Sequence, residues 1–191
     1  MMPSNVRSTP KGNLLFSVVD DGVGVQDEPF KDKRLIKKSN QYQVVTYGHK
    51  TGKYDAALVG TPKGVYDFVV LPAFPDVCYV RRNRGDRDLK YRDNPGHHDL
   101  KVNRGHMSIA RGGEVFFAGS IWFGGGPTTG KFPEGQLLQW ENSSGHYKIG
   151  LGKRGQDLLD LVKRQTRFLK CTDGSLLLPI EKFKPWNGDP V

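Results

Sequence analysis

The apolar positions of this chain fall in short runs broken by glycine and proline, the pattern of strands joined by tight turns. Residues 14–19 form the first run, closed by Asp20, Asp21 and Gly22. Residues 42–47 and 54–59 are rich in β-branched and aromatic side chains and flank the turn Lys50-Thr51-Gly52-Lys53, which predicts a hairpin. The clearest strand is 65–71, ended by Pro72, with 77–80 following Pro75. Residues 114–123 read as a strand apolar on both faces, with a bulge expected at Gly119, and 136–141 as another. One stretch follows the helical period instead. Over 156–169, Leu158, Leu159, Leu161, Val162, Phe168 and Leu169 make a single stripe, with Lys163, Arg164 and Arg167 off it. Residues 176–180 read as an edge strand, 27–40 as a loop or ragged helix, and 1–12 as a flexible N-terminal arm. The expected class is α+β: one compact domain over 13–191, mostly antiparallel sheet with one prominent C-terminal amphipathic helix.

A chain of 191 residues supports one full hydrophobic core, and an apolar share of 36% lies above the disordered range. No apolar run is long enough to span a membrane, and the first residues carry no apolar signal region, so the expected location is cytoplasmic. Cys78 and Cys171 are too few and too far apart for a disulfide framework or a zinc ribbon, and read as reduced cysteines. Charge changes the picture most. Lys+Arg number 29 against 20 Asp+Glu, a net +9, which draws the protein to RNA or another polyanion, or to an acidic inhibitor or partner protein.

The charge concentrates in residues 81–104, which hold six Arg, two Lys and four Asp and almost nothing to bury. Arg81, Arg82, Arg84, Arg87, Lys90 and Arg92 interleave with Tyr79 and Tyr91. Single-stranded RNA is bound by that combination, cations meeting phosphates and flat rings meeting bases. The interspersed Asp86, Asp88, Asp93 and Asp99 support a second reading, a self-paired and solvated loop. Gly125-Gly126-Pro127-Thr128-Thr129-Gly130-Lys131 imitates a phosphate-binding loop, but Phe132 stands where that motif holds its metal-binding hydroxyl. The following Pro133 and Gly135 also prevent the helix that the motif requires. His97, His98 and His106, with Asp93 or Asp99, match no zinc spacing, so neither a metal nor a cofactor is assigned.

The most distinctive stretch is Ser144-Gly145-His146-Tyr147 after a strand, with His106-Met107-Ser108 and Ala118-Gly119 upstream and a helix about ten residues downstream. Over residues 65–175 this resembles a module found in plant IQ-motif calmodulin-binding proteins and in toxin-like C-terminal domains of bacterial polymorphic toxins. In that module a His-Ser-Ser pattern and an Ala-Gly-Glu pattern precede Ser-Gly-His-Tyr and a proline. Here Met107, Ser120 and Ile149 replace a serine, the acid and the proline. No IQ element is present, so calmodulin binding does not carry over. The resemblance implies a toxin-like or effector-like domain, and it singles out His106 and His146.

Two imidazoles on a basic surface can act as general base and general acid on a ribose 2′-hydroxyl, with Lys148 and the arginines stabilising the phosphate. The same residues admit a structural reading, in which His146 fixes a turn and Tyr147 packs beneath it. Ser144 is a candidate nucleophile without a nucleophile elbow around it, and serves equally as a turn former. Glu141, at a strand end beside Ser143 and Ser144, is the acid that an ADP-ribosyltransferase or NAD glycohydrolase would need, although no Ser-Thr-Ser or Glu-x-Glu is present. The functions expected are therefore a histidine-based ribonuclease or RNA binder, an NAD-using enzyme, or a non-enzymatic module docking an acidic partner.

Overall fold

A computed structural model of the chain describes residues 2–19, 33–48, 53–83, 106–144 and 147–186. Its strands are β1 (Val6–Ser8), β2 (Leu14–Phe16), β3 (Lys33–Lys38), β4 (Gln41–Gly48), β5 (Lys53–Gly60), β6 (Gly64–Leu71), β7 (Phe74–Arg82), β8 (Phe117–Phe123) and β9 (Leu137–Glu141). The helices are α1 (His106–Ala110) and α2 (Gly155–Thr166), followed by a 3-10 turn at Ile180–Lys182. Seven strands form one sheet in the order β5-β4-β3-β7-β6-β8-β9, every neighbouring pair antiparallel. β1 and β2 make a separate hairpin. The fold is α+β, as the periodicities imply.

Four expectations change. Residues 33–38 are not a loop or helix but β3, paired along its whole length with β4. Ser39 and Asn40, at φ 50° and 63°, make the two-residue turn between them, the conformation whose twist matches flanking strands. Within 1–12, Val6–Ser8 pairs with Leu14–Phe16, so this part of the expected arm is ordered. The Asn5 amide donates to the Tyr147 carbonyl at 3.0 Å, and Arg7 grips Glu114 with two 2.8 Å bonds that hold the Glu114 carboxyl below its ordinary range. That ion pair is exposed and contributes little to stability. The register irregularity of β8 lies at Trp122/Phe123 rather than at Gly119. Residues 176–180 form no strand: Leu176 makes one bridge to Lys170, and the chain then reaches the Phe183 bridge to Trp140.

Side chains directly opposite one another across a sheet share a face. On one face lie Val80, Phe68, Phe117 and Trp140, all buried. Phe68 stacks on Phe117 with centroids 5.5 Å apart, and Trp140 meets Phe117 edge-on at 5.9 Å and Phe183 at 4.8 Å. Leu158, Leu161 and Val162 from α2, with Leu169, Leu177 and Leu178 beyond it, join the same core. The α2 stripe is thus the apolar face foreseen from its spacing, ending a turn earlier, so that Phe168 is exposed.

Candidate functional site

The opposite face of the sheet carries the polar chemistry. The registers align Arg81 of β7, Asp67 of β6, Ser120 of β8 and Glu141 of β9 in one row across four strands. Asp67 and Ser120 are both buried, and Glu141 is half-buried. A carboxylate in the middle of the run Val65-Tyr66-Asp67-Phe68-Val69 is held by partners. The Asn83 amide donates to its Oδ1 at 3.1 Å, and His106 Nε2 stands 3.8 Å from the same atom. At the far end of the row, the Ser143 hydroxyl lies 2.9 Å from the Ser120 hydroxyl and 2.9 Å from Glu141 Oε1.

His106 opens α1, and its side chain is 8% exposed. Its Nε2 makes a short hydrogen bond to the Gly119 carbonyl, which acts only as acceptor, so Nε2 carries the proton. In the neutral ring Nδ1 is then the acceptor, and it has no partner among the described residues. Positive charge arriving on the ring meets the Asp67 carboxylate 3.8 Å away. Gly119 has no side chain, which lets Phe68 and β9 both close on this stretch of β8.

The remaining candidates divide. Arg81 and Arg82 end β7, both half-buried, and the Arg82 guanidinium lies over the Tyr66 ring at 5.7 Å. Lys148 is half-buried on a left-handed turn at φ 51°. His146, Arg84, Arg87, Lys90 and Arg92, like His97, His98 and Tyr91, lie outside the described residues.

Ser144 and Tyr147 are placed where chemistry is not available to them. Ser144 is buried, its hydroxyl accepts the Tyr147 N–H at 3.3 Å, and its carbonyl accepts the Lys148 N–H at 2.8 Å, so it forms the turn. Tyr147 is fully buried and its hydroxyl donates to the Gly113 carbonyl at 2.7 Å, with burial pushing its ionisation well above the ordinary range. Neither is retained as a catalytic group. Tyr147→Phe is expected to cost about 1 kcal/mol, the ordinary worth of such a bond, seen as a fall of about 2–4 °C in Tm for a chain of this size. An unchanged melting curve would show the hydroxyl to be dispensable.

The loop that imitates a phosphate cradle is closed on itself. The Gly125 N–H donates to the Thr129 carbonyl, the Gly126 N–H to the Thr129 hydroxyl, and that hydroxyl to the Phe123 carbonyl. The Gly125, Gly126 and Thr129 amides are spent within the loop. Among the described residues no three His, Cys, Asp or Glu side chains gather as a metal site.

The sequence did not mark Asp67, Asn83, Ser120 and Ser143 as site residues. The one available signal was an acid inside the strongest apolar run, since an aspartate is rarely fully buried without a partner. Comparison of the chain with protein-family models, with curated proteins and with solved structures finds no match in any of the three.

Proposed function

We propose that this domain acts on RNA, with His106 as its general base. The observation that carries the reading is the His106–Asp67 couple: a nearly buried imidazole, its tautomer fixed by a main-chain carbonyl, with a carboxylate 3.8 Å behind it. This geometry suits proton abstraction by Nδ1, with the charge formed on the ring offset by Asp67. Abstraction of a ribose 2′-hydroxyl proton would let that oxygen attack the adjacent phosphorus, and a second group must protonate the departing 5′-oxygen. His146, which the resemblance to toxin-like domains pairs with His106, is proposed for that role. Arg81 and Arg82 at the end of β7, and Lys148, are proposed to meet the phosphates, in keeping with the net charge of +9.

Incubation with a labelled oligoribonucleotide tests this. His106→Gln keeps an amide N–H able to reach the Gly119 carbonyl but cannot carry a proton at neutral pH. It is expected to lower cleavage about a hundredfold, the usual worth of general acid–base catalysis, with Tm nearly unchanged. RNA left intact by micromolar wild-type protein would exclude the nuclease. Nicotinamide release from NAD, abolished by Glu141→Ala, would point to the NAD-using enzyme. Salt-sensitive RNA binding without turnover would leave a binding module.

A further inference from the structure

The two cysteines of the sequence stand 93 positions apart, yet both line one cavity of about 160 Å³. The cavity opens where the sheet parts. β3 and β7 are paired at Arg34↔Tyr79 and Leu35↔Cys78, and beyond these the ladder stops. The segment after α2 completes the cavity's lining, so that Cys171 and Leu177 border the same cavity as Leu35 and Cys78. That segment is fixed on both sides. Cys171 N–H donates to the Ser175 carbonyl at 2.8 Å, Leu177 N–H to the Leu169 carbonyl at 2.9 Å, and the buried Tyr42 hydroxyl to the Leu177 carbonyl at 2.6 Å. Burial pushes the ionisation of that hydroxyl up, with smaller contributions from Cys171 and Cys78.

We propose that Cys78 and Cys171 are an oxidisable thiol pair, which hydrogen peroxide converts to an intramolecular disulfide joining β7 to the segment after α2. The order of events follows from exposure. Cys78 is buried and its ionisation is pushed up by that burial, whereas Cys171 is half-exposed. The Cys171 thiolate therefore attacks peroxide first: its sulfur takes one oxygen, the O–O bond breaks, and the other oxygen leaves as water after protonation. Cys78 sulfur then displaces that hydroxyl, the S–S bond forms, the S–O bond breaks, and the thiol proton departs in a second water. Two thiols are oxidised and one peroxide is reduced to two waters.

The native protein treated with a few equivalents of hydrogen peroxide and then digested with trypsin provides the test. The expected product is peptide 64–81 linked to peptide 171–182, with a loss of about 2 Da from the intact chain that dithiothreitol reverses. Labelling of both cysteines by N-ethylmaleimide in denaturant should fall at least tenfold. Cys171→Ser and Cys78→Ser should each abolish the mass loss, and Cys78→Ser should leave a Cys171 sulfenic acid that dimedone traps. Recovery of Cys171 as sulfinic or sulfonic acid with Cys78 still a free thiol would overturn the proposal. So would a cross-link found only between separate chains.

Discussion

Gly119→Ala is expected to destabilise the fold by about 3 kcal/mol or more, as overpacking against main chain does, and to lower Tm by about 6–12 °C. A methyl group at this position would collide with the Glu141 carbonyl oxygen on β9 and stand 3.0 Å from Phe68 Cε1. The register explains why neither neighbour can yield. Phe68 lies directly opposite Gly119 and is stacked on Phe117, while Glu141 is held by its pairing with Ser120, the next residue of β8. The same substitution would displace the carbonyl that orients His106, so any RNA cleavage should fall with stability. Gly60→Ala is the matched control. A methyl there meets nothing within 4 Å, and its effect should stay within about 0.5 kcal/mol, the usual range for a surface change. Equal melting temperatures for the two variants would refute the packing described for β8.

Gln165→Leu is the second large effect, and it comes from polarity rather than volume. Gln165 is 1% exposed on α2. Its Oε1 accepts the Leu14 N–H at 2.9 Å, and its Nε2 donates to the Leu14 and Phe116 carbonyls at 2.7 Å each. One side chain thus satisfies main-chain groups of β2 and of the residue that precedes β8. Leucine fills similar space and leaves all three groups unpaired, at about 1–3 kcal/mol for each one that water cannot reach. Water can enter beside half-buried Leu14, so the net loss should be about 3–4 kcal/mol. Hydrogen exchange at the Leu14 amide should accelerate far more than exchange in β6. Gln165→Glu should be worse still, because a carboxylate oxygen would face two carbonyl oxygens. A leucine variant as stable as wild type, with an unaltered Leu14 amide, would sink this account.

Much of the architecture could be read from the sequence because burial and period agree there. β6 is a continuous apolar run because it is covered by strands on both sides and packed on both faces. The α2 stripe repeats at the helical period because one face of that helix joins the core. β3 was hidden by its composition: in Lys33–Lys38 only Leu35 is buried, so four cations masked a strand whose pairing comes from its neighbours. Five-residue α1 is too short to show a period at all. Among the site residues, His106 was legible as a histidine set apart by a motif. Its partners were not, because Asp67 and Gly119 reach it, and Asn83 reaches Asp67, only through strand register, which a linear pattern does not display. Ser144 and Tyr147 show the converse: a distinctive motif can be distinctive because a turn and a packed ring need those residues.

The meagre joint between β3 and β7 has a mechanical meaning. Two paired positions connect β5-β4-β3 to the four strands that bear the polar row. Cooperative structure is weakest where few bonds cross, and Tyr42 of β4 supplements the two ladder positions by bonding the Leu177 carbonyl and meeting the Phe123 ring edge-on. Opening of β5-β4-β3 should therefore require loss of this tyrosine's contacts, whereas Asp67, Ser120 and Glu141 are spanned by the longer β6-β7, β6-β8 and β8-β9 ladders and keep their spacing.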